Sequence, residues 1–349
     1  MIQLNSIVGR IIRGYTALLI RDKEIYITSG IKLRKLNESL LHDIPVATEP
    51  LDWPLNIAAC FRLFERAGKL TFRELSRTAK NNIIGVIRKQ LVLLLEGENS
   101  FKSVLKVESG GRPKGLVTLP SGKMYVGEYG LNPQRKAMRI WGNNENEGKW
   151  EQIYTLKAGT LRHIHNIIWD PYRKGLWVLT GDLDRECAFL FTDDEFKTVK
   201  QIVRGGQSYR ACNLFCRPEG LYYATDSELD ENWMVFFEPT TLKMERIQPL
   251  PGSSIYANFM AGHYFISTCV EPSKVNRYKF ATLWCSKNLY DWKKVIEFEK
   301  DFWPGEYFGF GNIILPKIDG ECPFIVFSAV AVKKYDNTTF IFKPEELGL

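Results

Sequence analysis

Four stretches of the chain repeat one pattern of polar and apolar positions: a turn, a short apolar run with a central aromatic residue, and a closing acidic or hydroxyl residue. They cover residues 123–128, 175–182, 220–226 and 262–268. Their central aromatic residues, Tyr125, Trp177, Tyr222 and Tyr264, are 52, 45 and 42 residues apart, which is the length of a four-stranded repeat. The pattern predicts an all-β protein, a single β-propeller.

Short apolar runs bounded by Gly, Pro, Asn and Asp divide most of the chain into such units. From residue 115 onward four blades are expected, over 115–154, 163–203, 210–247 and 255–298. Before them, strands at 17–20, 24–30, 58–64 and 70–75 are expected to form one blade, and 82–105 another. Residues 58–80 do not alternate cleanly and have a helix as their alternative.

The last blade is expected to combine both ends of the chain. Residues 308–315, 323–332 and 338–342 supply three strands, and residues 7–12 supply the fourth, which leaves no open sheet edge. The count is then seven blades, with six as the alternative. Residues 1–349 form one domain, in which 36–55 is a possible lid or irregular insertion.

The composition of the chain says more about the class of binding partner than about the fold. The formal net charge is +7 and the pI is near 8.9, but no basic run stands out. This excess suits an acidic oligo- or polysaccharide and gives little support to nucleic acid.

The compartment is inferred from cysteines and apolar runs. The seven cysteines are odd in number and lie mostly in strand-like segments, as expected of free thiols in a reducing compartment. The first 20 residues make a poor secretory signal, and no apolar run is long enough to span a membrane. We therefore expect a cytoplasmic protein.

Candidate chemistry follows from placing polar residues on a propeller. Loops entering the first strand of each blade, and loops joining the second and third strands, are expected to meet at one mouth. The catalytic candidates there are His163, His165, Asp182, Asp226 and Glu128. The candidates for substrate binding are Arg112, Arg162, Gln207, Arg210, Glu306 and Tyr307. Arginine forks bind carboxylates, so this mouth suits an anionic sugar.

The histidine pair is the sharpest single feature. His163 and His165 are half of the four histidines, and a spacing of two puts both on one face of a strand. Such a pair can transfer a proton, or bind a divalent metal together with Asp184. The cofactor is therefore either none or one divalent metal.

The polar hairpins at 141–150, 191–199 and 285–292 resemble degenerate Asp-box repeats of sialidase-like propellers. Segments at 162–165, 169–172, 176–184, 207–210 and 225–226 resemble a poorly characterised group of BNR-repeat propellers commonly labelled glycosyl hydrolases. The resemblance covers residues 110–315 and implies a carbohydrate-related role. The chain departs from true sialidases, because Glu306 and Tyr307 are adjacent and only Arg112, Arg162 and Arg210 can imitate the arginine triad.

Three functions remain open at this stage. The first is a glycoside hydrolase or polysaccharide lyase acting on an acidic glycan. The second is a propeller that binds a glycan or a partner without chemistry. The third is a metal-dependent hydrolase of the lactonase kind, for which 113–116 and 125–128 are the motivating segments.

Overall fold

The structure is a computed structural model that describes residues 9–21, 23–36, 43–48, 54–107, 111–143 and 148–349, with 43–48 described by backbone alone. It is 52% strand and 8% helix, and the fold is an all-β, seven-bladed propeller. The described strands form seven small sheets, six with four strands and one with five. This confirms seven blades over six. None of the helices in the described ranges is long and apolar enough to cross a membrane.

The chain divides into two compact units, one formed by Met1–Arg73 with Leu250–Leu349 and the other by Glu74–Pro249. The first unit begins with a strand of the last blade, continues through one sheet, and then has two short helices. These elements are β1 (Arg10–Arg13), β2 (Thr16–Arg21), β3 (Glu24–Ser29), β4 (Lys32–Leu36), β5 (Asp43–Thr48), α1 (Leu55–Ala58) and α2 (Arg62–Gly68).

The second unit contains four consecutive antiparallel blades, each a simple meander. Their strands are β6 (Phe72–Arg77), β7 (Ile83–Ile87), β8 (Gln90–Leu94), β9 (Lys102–Lys106), β10 (Arg112–Thr118), β11 (Met124–Tyr129), β12 (Met138–Asn143), β13 (Trp150–Leu156), β14 (Ile164–Asp170), β15 (Gly175–Thr180), β16 (Ala188–Thr192), β17 (Lys200–Arg204), β18 (Phe215–Arg217), β19 (Gly220–Ala224), β20 (Asn232–Glu238) and β21 (Lys243–Leu250).

The chain then returns to the first unit for its last eight strands. They are β22 (Ser254–Met260), β23 (His263–Thr268), β24 (Phe280–Ser286), β25 (Lys293–Glu299), β26 (Asn312–Ile314), β27 (Lys317–Asp319), β28 (Ile325–Val330) and β29 (Thr338–Phe342), with the helix α3 (Gly305–Phe308) before β26. Strands β22–β25 form one blade. Strand β27 adds to β2 in parallel as the fifth strand of the β2–β5 sheet.

The last blade draws on both ends of the chain, as the sequence predicts. Its strand order is β1-β29-β28-β26, and Ile12 lies opposite Thr339. Residues 7 and 8 of the expected strand lie outside the described residues. The two ends of the chain are therefore held by one hydrogen-bonded ladder.

Apolar side chains pack between successive sheets, which gives several small cores. Within the second unit, one core joins Ile84 and Val86 to Met124 and Val126, and another joins Trp177 and Phe189 to neighbours on the next blade. Inner strands approach closely here: a Cβ on Gly115, whose φ is +72°, would lie 2.6 Å from the backbone nitrogen of Ile167. Glycine permits both that approach and that backbone conformation.

The strand expected at 58–64 is wrong, because α2 begins at Arg62, and 72–77 is a strand of the next blade. The helical alternative for 58–80 therefore holds only in its first part. Helix α2 turns its charges inward: Arg62 bonds Glu65 at 2.8 Å and Arg66 bonds Asp301 at 2.6 Å. Its aromatic residues face outward, with Phe64 60% exposed. This inverted pattern is what makes the segment look strand-like in sequence.

The expected lid at 36–55 is only partly described. Residues 37–42 and 49–53 lie outside the described ranges. Residues 43–48 form β5, which pairs with β4.

Candidate active site

The second unit gathers polar residues at the ends of four neighbouring strands. His163 precedes β14 and His165 lies on it, Asp182 follows β15, Arg210 precedes β18, and Asp226 follows β19. Antiparallel pairing brings these ends together, since Ile164 lies opposite Thr180 and Ala211 opposite Thr225. The site thus combines loops that enter a blade with loops that join its second and third strands.

His163, His165 and Asp182 form the centre of the site, which we name the acceptor cluster. The Nε2 atoms of His163 and His165 are 3.1 Å apart. Asp182 Oδ1 lies 3.3 Å from His163 Nε2 and 3.4 Å from His165 Nε2. The pairing register shifts at His165, between Ile164 and Asn166, and such a bulge re-aims a side chain.

The second ring nitrogen of each histidine fixes its tautomer. His163 Nδ1 lies 2.7 Å from the carbonyl oxygen of Gly130, and His165 Nδ1 lies 3.1 Å from that of Ala211. Because a carbonyl only accepts, each Nδ1 carries a proton, and the two Nε2 atoms and Asp182 Oδ1 are the atoms that can share a further proton. Two nitrogen lone pairs and a carboxylate oxygen therefore face one another, an arrangement that attracts a proton or a cation.

Asp182 remains ionised in this setting. Burial raises the pKa of its carboxyl group, but hydrogen bonds and positive charge from His163 and His165, when an Nε2 carries a proton, outweigh burial and hold the pKa well below its usual range. Arg210 adds an ion pair at 3.2 Å to Oδ1, and Arg162 lies 3.6 Å from Oδ2. Burial also lowers the pKa of His165, more than its contact with Asp182 raises it. Asp182 is thus the permanent negative charge of the cluster.

Behind the cluster lies a layer of buried groups. Cys212 donates to Asp226 Oδ2 at 3.3 Å, and its sulfur is 3.6 Å from His165 Nδ1. Burial raises the pKa of the Cys212 thiol well above its usual value, so the residue is a neutral donor. Among the described residues, Asp226 Oδ1 and Arg210 Nε have no hydrogen-bond partner. Such unmet polar atoms are uncommon in a structural core.

An aromatic and cationic wall flanks the cluster. The ring of Tyr129 is centred 4.1 Å from that of His163. Lys114 Nζ lies 4.4 Å from the Tyr129 centroid and the Arg112 guanidinium carbon lies 4.9 Å from it. Sequence reasoning missed Lys114 and Tyr129. The period-two spacing of Arg112 and Lys114, next to Tyr129 on the partner strand, is the signal that would have found them.

Three of the expected site residues have mainly structural contacts. Glu128 is fully buried and accepts from Trp141 Nε1 at 3.0 Å and from the Arg139 backbone at 3.2 Å. Gln207 Nε2 donates to the Asp182 carbonyl oxygen at 3.0 Å and to Asp184 Oδ1 at 2.8 Å. Gln207 and Asp184 thus position the loop that carries Asp182.

Glu306 and Tyr307 lie on α3 in the first unit. The Tyr307 side chain is 66% exposed. Their proposed part in substrate binding stays a prediction.

Two groups of side chains have the composition of a metal site. His163, His165 and Asp182 form one, and His165, Cys212 and Asp226 form the other, with ligand atoms within 4.8 Å of one another in each group. The first group fits a divalent cation better, because its nitrogen lone pairs are free and its histidines donate their other N–H to carbonyls. The metal ligand expected from Asp184 is therefore better supplied by Asp182.

The comparisons with known proteins concern the fold. No protein-family model matches the sequence, and no curated protein matches it. Among solved structures, a streptogramin B lyase is similar with a TM-score of 0.59 and 10% identity, covering 96% of this chain and 98% of the other. Oligogalacturonate lyase in complex with manganese gives 0.59 and 10%, covering 98% and 92%.

A third similar structure, YCF48 bound to D1 peptide, gives a TM-score of 0.59 and 11% identity, with 96% of each chain covered. These neighbours are of the propeller kind. At such identities the likeness shows the fold alone, and the resemblance to sialidases stays a prediction.

Proposed function

We propose that the protein is a carbohydrate-active enzyme that cleaves an acidic glycan at the acceptor cluster, acting as a lyase. The observation that carries the proposal is the meeting of two histidine lone pairs with an ionised carboxylate beside Arg162 and Arg210. An oligosaccharide that contains uronate has a carboxylate, which cationic side chains can bind, and an acidic C–H next to it, from which a base can take the proton. A lyase among structures of the same fold agrees with this choice.

The reaction is a β-elimination. A base takes the proton from the carbon next to the sugar carboxylate, and the released electron pair forms a C=C bond with the neighbouring carbon. The glycosidic C–O bond on that carbon breaks, and its oxygen leaves with a proton. His163 or His165 supplies the base, because the proton it takes is shared between two nitrogens 3.1 Å apart and is stabilised by Asp182.

Hydrolysis suits the cluster less well. A glycoside hydrolase needs a carboxylic acid that holds its proton near neutral pH. The pKa of Asp182 is lowered, and Glu128 is engaged by Trp141 and Arg139. Asp226 is engaged as well, because its Oδ2 accepts from Cys212 at 3.3 Å and lies 3.6 Å from Arg210 Nε.

A divalent cation is a second use of the same atoms. His163 Nε2, His165 Nε2 and Asp182 Oδ1 would hold it, and it would supply positive charge to balance a substrate carboxylate. Arg210 occupies only one side of Asp182 Oδ1, because a carboxylate oxygen has two lone pairs. A metal-dependent lactone hydrolase would need the same cation.

The test is to offer acidic oligosaccharides, including oligogalacturonate, to the protein with EDTA and with Mn²⁺, Zn²⁺ or Ca²⁺, and to record unsaturated product by ultraviolet absorbance. We expect unsaturated product from the wild type and none from His163→Ala or His165→Ala. His263→Gln is the matched control, because His263 lies in the first unit with its Nδ1 2.8 Å from the Ala261 carbonyl oxygen.

Each outcome separates one alternative. Saturated reducing ends would identify a hydrolase, whereas binding without cleavage would identify a glycan-binding propeller. Mn²⁺ binding measured by calorimetry, lost in both histidine variants and kept in His263→Gln, would support the cation. Unsaturated product at full rate in EDTA, without Mn²⁺ binding, would exclude it.

A further inference from the structure

Among the described residues the site has four cationic side chains, and they differ in how many carboxylates each one pairs with. They are Arg112, Lys114, Arg162 and Arg210. Arg210 meets three: Asp182 at 3.2 Å, Asp226 at 3.6 Å and Glu228 at 3.0 Å. Arg162 meets Asp182 at 3.6 Å. The positive charge of Arg210 is therefore neutralised within the protein, and that of Arg162 is at least partly so.

Arg112 and Lys114 differ from these two. Over the described part of the chain, neither makes an ion pair within 4.0 Å. The carboxylate that is electrostatically coupled to Lys114 is that of Glu74, and its two oxygens accept from the backbone nitrogens of Gly115 and Leu116 at 3.2 and 3.0 Å. What both cations touch is the ring of Tyr129.

The β10–β11 ladder creates this arrangement. Arg112 lies directly opposite Tyr129, and Lys114 lies opposite Gly127. Side chains two apart on a strand share a face, so both cations lie against one aromatic ring. A ring face attracts a cation, but it does not neutralise two adjacent positive charges.

We infer that Arg112 and Lys114 form an anion-binding subsite at Tyr129, which takes the carboxylate of the acidic sugar. The ring of Tyr129 also lies against His163, so the subsite adjoins the acceptor cluster. Arg210, in contrast, is a positioning residue that holds Asp182 and Asp226. The identity of the anion rests on the proposed function. The location of the subsite rests on the side-chain contacts alone.

The test uses Lys114→Met and Arg112→Gln, which keep most of each side-chain stem and remove the charge. The matched control is Arg246→Gln, because the exposed Arg246 lies 5.3 Å from the ring centroid of the half-buried Trp233, another cation–π pair of the same unit. Calorimetry measures binding of digalacturonate, its methyl ester and inorganic sulfate. Circular dichroism and thermal unfolding confirm that each variant is folded.

We expect each subsite variant to bind digalacturonate about tenfold or more weakly, the loss typical of a charge-assisted hydrogen bond. The methyl ester should bind equally to wild type and variants, and Arg246→Gln should behave as wild type. Digalacturonate binding unchanged in both variants overturns the subsite while leaving the proposed function standing.

Sulfate binding distinguishes a failure of the subsite from a failure of the proposed function. One outcome is that the wild type binds sulfate but no uronate, with sulfate binding lost in both variants. That result supports the subsite and excludes an acidic glycan as its ligand. A wild type that binds neither sulfate nor digalacturonate overturns both. If the variants do not fold, the affinities of the wild type for free and methyl-esterified digalacturonate are measured over a range of salt concentrations. Equal affinity and equal salt dependence for the two ligands overturn the subsite.

Discussion

Two clusters of buried or half-buried charge among the described residues are built on opposite principles. In the first unit, the ionic cluster of α2 matches cations with carboxylates: Arg62 meets Asp336 at 2.8 Å and Arg66 meets Asp301 at 2.6 Å. In the second unit, the acceptor cluster places lone pairs against lone pairs. The first arrangement pairs each cation with a carboxylate, although Arg66 Nη2 has no hydrogen-bond partner among the described residues, and the second gains from an added proton, cation or ligand.

The difference indicates which cluster is structural. Paired charges tie α2 to Asp301, which follows β25, and to Asp336, which precedes β29, and they leave little for a ligand to improve. An arrangement that is unfavourable on its own persists where the surrounding structure fixes it, which is typical of functional sites. The predictions below break each cluster in turn.

The largest effect is expected on activity from His163→Ala or His165→Ala. Loss of a positioned proton acceptor lowers kcat by about 10²- to 10⁴-fold. Because both rings are buried and hydrogen-bonded to carbonyl oxygens, each variant also leaves a cavity, and the free energy of unfolding should fall by about 1–3 kcal/mol. Activity and urea unfolding of the same samples check both parts, and a stability loss matching that of Arg66→Met would make the pair structural.

The next largest effect is expected on stability from Arg66→Met. The Arg66 side chain is 6% exposed and its partner Asp301 is 9% exposed, so the variant leaves a buried carboxylate without its arginine, at a cost of about 3–5 kcal/mol. Lys333→Met is the control, because Lys333 and Glu299 form an exposed pair worth about 0–1 kcal/mol. Urea unfolding measures both, and equal losses would contradict the comparison.

Acid should weaken the ionic cluster by a smaller amount. Burial raises the pKa of Asp336, but the hydrogen bond and charge of Arg62 outweigh it, and the pKa is lowered. The resulting stability is fully present above the unfolded pKa of about 3.9 and is lost as the pH falls through the folded value. We expect the free energy of unfolding to fall less steeply below about pH 5 in Asp336→Asn than in wild type. Parallel slopes in urea unfolding at each pH would remove Asp336 as a source of acid sensitivity.

The smallest effect is expected from Phe64→Ser on the outward face of α2. The Phe64 side chain is 60% exposed, and its aromatic neighbour Phe61 is centred 6.4 Å away. Stability should change by no more than about 0.5 kcal/mol. A larger loss in thermal unfolding would mean that the aromatic face, and not the charged one, holds this helix.

The sequence predicts the blades well because they depend on local alternation. Trp177 and Tyr223 are fully buried strand residues, and turns separate their strands at regular spacing. The helix α2 escapes prediction because its inward face is charged. Only the distant partners Asp301 and Asp336 make such a face stable, and sequence spacing does not reveal them.

The site is predicted in part for the same reason. His163 and His165 are found from their spacing, since the strand fixes which way they face. Tyr129 and Lys114 are missed because their contact depends on the register of β10 with β11. Asp182 contacts both histidines, whereas Asp184 accepts from Gln207; the turn after β15 decides which of the two acids faces the histidines, and sequence spacing does not show it.

The last blade has a consequence for how the protein is made. Strand β1 is synthesised first among the described strands, yet its partner β29 is the last of them. Until β29 has been synthesised, β1 has no ladder to join, and without β1 the β26, β28 and β29 strands keep an open edge that invites pairing with other chains. Such a distant contact slows folding, so β1 stays unpaired on the ribosome while the other described strands are being made.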